Sequence, residues 1–175
     1  MGETARTPKE PRPPRASAPD SSAGCDAVDR RLLALVQEEG RITLSELGRR
    51  VNLSPAAVSD RLRRLEASGI ITGYGAQVSP ARLGYGLQAF IRVDPHAGYT
   101  LRHPRTLELI ARQEILEVHH VVGEDCWILK VGVADTGHLE EVLAEVTVLG
   151  STTTSVVLSS PVARRTLLPL ERGPR

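Results

Sequence analysis

The chain is short of cysteine, of long apolar runs and of any excess of charge, and each shortage removes a class of protein. Two cysteines in 175 residues, Cys25 and Cys126, are too few and too far apart for a zinc motif or a disulfide scaffold, and they fit a cytosolic compartment. The opening MGETARTPKEPRPPRASAPDSSAG has no apolar core of a signal peptide. No later run approaches the roughly 18 apolar residues that a spanning helix needs, so the expectation is a cytoplasmic protein with no membrane contact. Lys and Arg number 22 against 21 Asp and Glu, so net charge does not mark a nucleic-acid binder.

Chemical constellations are also missing. His119 and His120 are neighbours on an expected strand and point to opposite faces, while His96 and His103 sit in a loop without a ligand pattern, so no metal is expected. Cys126 has acidic neighbours and reads as a packed residue rather than a redox thiol. The Gly-Tyr-Gly triplets at Gly73 and Gly84 are turn glycines, not a dinucleotide fingerprint. No Ser/His/Asp set or carboxylate pair can be assembled, so neither enzyme activity nor a cofactor is expected.

What is present is local. Residues 1–24 lack the large apolar groups that would offset the entropy of ordering and read as a disordered tail, as do residues 171–175. Residues 25–72 carry three helix patterns. Asp26 caps the first, with Val28, Leu32, Leu35 and Val36 inward and Gly40 as a left-handed stop. Thr43 and Glu46 form a capping box on the second, with Leu44, Leu47 and Val51 inward. Ser54 caps the third, with Pro55 in its first turn, Val58, Leu62 and Leu65 inward, and Gly69 at its end.

Two helices this close together predict a helix-turn-helix whose second member enters the major groove. Five arginines, Arg49, Arg50, Arg61, Arg63 and Arg64, fall in this stretch, while residues 83–159 are richer in acids, which predicts a basic reading head on an acidic body. At about 100° per residue the face opposite the apolar one holds Ala56, Ser59, Asp60, Arg63 and Arg64, flanked by Ala57 and Arg61. Residues near the helix start are expected to reach base edges, and the later arginines phosphates or guanines. The plain alternative is a solvated helix with ordinary surface charge. Residues 73–83 read as a linker strand after a wing beginning at Ile70.

From Gly84 the period becomes two. Leu87, Ala89, Ile91 and Val93 line one face of a strand; a helix follows over Pro104–Gln113 through Leu107, Ile110 and Ala111. Ile115–Val122 and Cys126–Val133 form a hairpin, Asp135 or Thr136 caps a helix that Gly150 ends, and Thr152–Ser159 is the last strand. The order βαββαβ over residues 84–170 predicts a ferredoxin-like domain, so the fold class is α+β. The uncovered sheet face, with Phe90, Val118 and Val122, predicts a homodimer.

Three stretches carry a resemblance: DAVDRRLLALVQEEGRITLSELGRRVNLSPAAVSDRLRRLEASGIITGYGAQVSP, PRTLELIARQEILEVHHVVGEDCWILKV and TTTSVVLSSPV. Together they resemble the Lrp/AsnC, or feast/famine, transcriptional regulators over about residues 26–170. The resemblance implies a winged helix-turn-helix followed by a RAM/ACT-like domain, dimers assembling into octamers or other higher oligomers, and an amino acid bound between dimers. It implies a double-stranded DNA operator as partner, a nucleoid location, and Ser54 through Arg64 as recognition helix. It also places Gly123, Glu124, Asp125 and Cys126 in the effector loop. There Asp125 or Glu124 would meet the α-ammonium group, with Thr152 or Thr154 near the carboxylate. Relatives often have Gly-Asp-x-Asp-aromatic at this loop; Cys126 replaces the second acid here, which predicts a ligand with an uncharged side chain.

Two other functions fit the same architecture: a tetrapyrrole decarboxylase of the haem pathway, and an oligomeric amino-acid-binding module with a vestigial helix-turn-helix. The exposed face with Ala56, Ser59 and its arginines favours the regulator, since an enzyme has no use for it.

Overall fold

The computed structural model describes residues 25–123 and 126–170. Both expected tails, and Glu124 and Asp125 of the expected effector loop, lie outside the described residues. The described residues divide into two units, residues 25–76 with 165–170, and the described part of residues 77–164.

In the first unit, helix α1 (Ala27–Glu38) begins with a reciprocal cap in which Asp26 accepts the Asp29 N–H and Asp29 accepts the Asp26 N–H. Gly40 is not its left-handed stop: the cap is Glu39 at φ −126°, and Gly40 is absent from the positive-φ glycines. Helix α2 (Leu44–Val51) is capped by Thr43, which accepts the Glu46 N–H. The expected capping box would turn the Glu46 carboxylate back to Thr43, but its oxygens take Arg49 and Arg50 instead. Ion pairing one turn along the helix wins over the cap.

The turn into the next helix rests on two residues. Asn52 adopts the left-handed conformation at φ 57°, and the Leu53 N–H donates to the Gly48 carbonyl at 2.9 Å. A Cβ at position 48 would stand 2.4 Å from the Leu53 carbonyl oxygen, so only glycine lets the chain close this tightly. Helix α3 (Pro55–Ala67) starts with Ser54 accepting the Ala57 N–H and is followed by Gly69 at φ 72°. Leu32, Leu33, Leu35, Leu47, Val58, Leu62 and Leu65 form the common core. Leu44, expected inside, is 41% exposed, because the first helical residue points back past the end of its own helix.

Described residues from 165 to 170 also group with this unit. The Gln37 amide accepts the Leu167 N–H at 3.0 Å and donates to the Leu167 carbonyl at 2.8 Å. Residues 70–83 form no strand; the segment is irregular and ends in a short 3₁₀ turn at Ala81–Leu83. A lone extended segment with no neighbour to pair has nowhere to place its backbone bonds except water.

The second unit is an antiparallel sheet in the order β2-β3-β1-β4, built from β1 (Leu87–Pro95), β2 (Ile115–His120), β3 (Trp127–Val133) and β4 (Gly150–Val156). Helices α4 (Pro104–Ile110) and α5 (Thr136–Val146) complete the ferredoxin-like order. Ala89, Ile91 and Val93 of β1 and Trp127, Leu129, Val131 and Val133 of β3 pack with Leu109, Leu139, Val142, Val146 and Leu149.

Three expectations fail here for geometric reasons. A bulge between Ile115 and Glu117 flips the alternation of β2, so Val118 packs into the core rather than onto the uncovered face. Helix α4 buries Thr106 and Leu109 and leaves Leu107 49% exposed, a rotation that its short length made ambiguous in the pattern. Gly150 is not a helix stop: it opens β4 opposite Pro95, where a Cβ would meet the Asp94 carbonyl oxygen at 2.1 Å.

Candidate nucleic-acid interface and effector site

Helix α3 is placed on its two predecessors by Val58, Leu62 and Leu65, all buried. This leaves Ser54, Ala56, Asp60, Arg63 and Arg64 exposed, with Ala57, Ser59 and Arg61 half-buried at the edges. The face read from periodicity is therefore the outer face of α3. Its charge differs from the expectation of a basic head. Arg49 pairs with Glu46 at 2.6 Å, and Arg50 pairs with Glu46 at 2.7 Å and with Glu39. Arg61 lies 2.6 Å from Asp26 and 2.8 Å from Asp29, Arg64 lies 2.7 Å from Asp29, and Arg63 is 3.5 Å from Asp60.

Each of the five arginines that the sequence singled out thus faces a carboxylate. Over residues 26–72 eight arginines stand against seven acids, while residues 83–159 hold five Lys and Arg against ten acids. The asymmetry is real but comes from an acidic body beside a nearly neutral head. Arg49 and Arg50 bring the Glu46 carboxyl down to about 2, and the Asp29 N–H, then Arg61, hold the Asp26 carboxyl below its ordinary range.

Asp29 is what the pattern reading missed. It is fully buried, although it sits in a charged stretch and looks like a solvated first-turn acid. Its only sequence signal was the three-residue spacing from Asp26, which fits a reciprocal cap.

Of the expected effector residues that are described, Gly123, Cys126 and Thr152 fall at one end of the sheet and Thr154 nearer its middle. Cys126 is half-buried against the core, donates its N–H to Val93 at 3.1 Å and accepts the Val121 N–H at 2.9 Å. Gly123 is exposed, and a Cβ there would meet nothing within 4 Å. Thr152 pairs with Val93 and Thr154 with Ile91, which puts both threonines on the helix-covered face. Val93 also pairs with Trp127, the first residue of β3. The loop and Thr152 therefore share an end of the sheet, but β1 runs between them, a gap of two strand spacings or roughly 10 Å. Phe90, with Gln88 and Arg92, lies on the opposite sheet face, and Val122 lies past the end of β2, fully exposed. Among the described residues no helix is long and apolar enough to cross a membrane.

Residues 26–72 match the family model for a winged helix-turn-helix DNA-binding domain, and residues 88–167 match that of the Lrp/AsnC ligand binding domain. The chain is 34% identical over 147 residues to the HTH-type transcriptional regulator LrpA of Mycobacterium tuberculosis, covering 82% of this chain and 97% of that one. A transcriptional regulator of Neisseria meningitidis solved with L-methionine superposes with a TM-score of 0.76 at 30% identity, over 84% of this chain and 97% of that one. A feast or famine regulatory protein of M. tuberculosis complexed with L-methionine gives 0.73 at 34%, over 82% and 99%. These relatives carry regulator names, which favours the DNA-reading alternative over the enzyme.

Proposed function

The chain belongs to the Lrp/AsnC family of transcriptional regulators, and from that premise we propose that it reads an operator through the outer face of α3 and responds to an amino acid with an uncharged side chain. The observation that carries the DNA half is the turn at Gly48, Asn52 and Leu53, which seats α3 so that Ser54, Ala56, Ser59, Asp60 and Arg63 face away from the core. Ala56 and Ser59 near the helix start meet base edges, and Arg63 meets a phosphate or a guanine. Arg49 and Arg50 flank the groove from α2. The protein acts at the nucleoid, as operator binding requires.

The effector half rests on the roughly 10 Å that β1 puts between the Gly123–Cys126 loop and Thr152. The resemblance puts such a ligand between dimers, and the loop and Thr152, which reach the same end of the sheet on either side of β1, are the two parts that would hold it. Such a ligand couples to assembly, which runs from dimers through the uncovered sheet face to higher oligomers such as octamers. L-Methionine, bound by two structural relatives, is the first candidate; it meets the half-buried Cys126 without bringing a charge.

Footprinting on the DNA upstream of the protein's own gene tests the first half. Protection that is lost in Arg63→Gln supports it, and an Arg63→Gln protein with unchanged affinity and salt dependence removes this face from the interface. Titration calorimetry with L-methionine, on the wild type and on Gly123→Arg, tests the second. Position 123 is open within the chain, so the cation blocks the site without unfolding the domain. Equal binding by both proteins puts the pocket elsewhere.

A further inference from the structure

Asp29 is buried to 0% exposure with both carboxylate oxygens occupied. Oδ1 accepts from Arg61 at 2.8 Å; Oδ2 accepts from Arg64 at 2.7 Å and from the Asp26 N–H at 3.3 Å. Arg61 also reaches Asp26 at 2.6 Å. Two acids at the start of α1 thus hold two arginines, three positions apart on α3, in a charge-balanced clasp. A buried carboxylate is tolerated only when such partners compensate it, so the clasp has little freedom to open.

The clasp has two effects on the helix that would read DNA. It fixes the rotation of α3 about its own axis, where one residue step turns the helix by about 100° and so decides which side chains face outward. Its apolar face consists of one Val and two Leu, shapes that define this angle loosely, whereas two directional ion pairs define it tightly. The clasp also ties the Arg61 and Arg64 guanidinium groups to Asp29, Arg61 half-buried and Arg64 with its side chain still 57% exposed, and Arg63, 3.5 Å from Asp60, is the outward cation between them. We propose that Asp29 is a positioning residue for operator recognition, which sets the rotation of α3 and withholds Arg61 and Arg64 from the phosphates, so that base contacts rather than bulk charge dominate binding.

This rests on the DNA-reading function, and the test separates the two. Full-length protein is titrated by fluorescence anisotropy against a duplex from its own upstream region and a scrambled duplex, over a salt series. Each phosphate contact contributes about 0.9 to the slope of log K against log salt. Arg64→Gln, which leaves Arg61 on Asp29, is expected to keep the wild-type slope on the scrambled duplex. Asp29→Asn is expected to steepen that slope by about one to two units and to lower the ratio of specific to scrambled affinity by about tenfold. Adding Arg61→Gln/Arg64→Gln to Asp29→Asn removes the extra slope. Glu38→Gln, an equal loss of charge at an exposed position of α1, leaves slope and ratio unchanged. A purely structural role for Asp29 would lower the melting temperature and leave the slope alone.

A shallower slope in Arg64→Gln, which leaves Arg61 on the buried Asp29, overturns the proposal whether or not Asp29→Asn folds. If the wild type binds neither duplex, the DNA-reading function fails, and the clasp is read without DNA from the melting temperatures of Asp29→Asn, Arg64→Gln and their combination. Strong non-additivity there supports the clasp; additive losses overturn it.

Discussion

The helical unit and the sheet unit solve the same problem in opposite ways. In the helical unit the surface proposed to read DNA is complete in one chain. Its caps, its turn and its outer face all arise within residues 26–72, and its charges are tied off between its own helices. In the sheet unit the central strand β1 pairs with two strands distant in sequence, and the proposed effector residues end up on either side of it. In the function proposed above, the first unit carries its reading face within one chain, and the second shares its effector site with another copy. A regulator that couples ligand to DNA has reason to be divided this way, because a site that forms only between chains makes ligand binding report on assembly.

The largest expected effects come from the close approaches that define each unit. Gly48→Ala puts a Cβ against the Leu53 carbonyl and should cost about 3 kcal/mol, felt in the helical unit alone. Gly150→Ala crowds Asp94 and Pro95 and should do the same to the sheet. The single Trp127 is buried in the sheet core, so its fluorescence follows that unit while far-UV circular dichroism also follows the helices. Gly48→Ala should move the dichroism transition and leave the Trp127 transition in place. If both move together in both variants, the units unfold as one and the comparison breaks.

Core truncation comes next. Ile91→Ala, at the centre of the sheet, and Leu32→Ala, in the helical core, remove side chains with no exposure and should each cost about 3 kcal/mol in their own transition. Effects confined to one transition each would sharpen the division. The N-caps give smaller effects. Thr43→Ala should lower the helical transition by about 1 kcal/mol and Asp135→Ala the sheet transition by a similar amount, read from denaturant midpoints at constant slope.

Acid should separate the units last and least. The Arg112 guanidinium holds the Glu114 carboxyl at about 2, with His138 adding a further hydrogen bond. A carboxyl depressed in the folded state stabilises above its ordinary value near 4.5 and loses that contribution as pH falls toward 2. The Trp127 transition should therefore weaken through that window, and Glu114→Gln should flatten its pH dependence there. Glu46 is held equally low, but at the exposed surface of α2, where solvent screens the pair, so Glu46→Gln should change the helical transition little.

Much of this was legible in the residues. Asp26, Thr43, Ser54 and Asp135 each cap the helix they were expected to start, because a cap needs only a side chain and an N–H two or three residues away. The alternation of Leu87, Ala89, Ile91 and Val93 named the core face of β1 for the same local reason. The misreadings are where a neighbour in space overrode the local signal. Glu46 left its cap for two arginines, Val118 changed faces at a bulge, and residues 70–83 found no strand to pair with.

The order of elements, the helix starts and the outer face of α3 were thus determined by the sequence alone, since periodicity and capping act over a few bonds. Which charges would be used up, and which residues would meet, was decided only in the tertiary structure. Asp29 lies more than 30 positions from Arg61 and Arg64, and no pattern within one helix shows that a carboxylate will be buried under two cations of another. The resemblance assigns the loop at Gly123 and Cys126 and the strand at Thr152 and Thr154 to one site between dimers, and only the sheet shows how they are spaced in one chain. Sheet order puts β1 between them, because hydrogen-bonded strands space their side chains by about 4.8 Å whatever those side chains could do together.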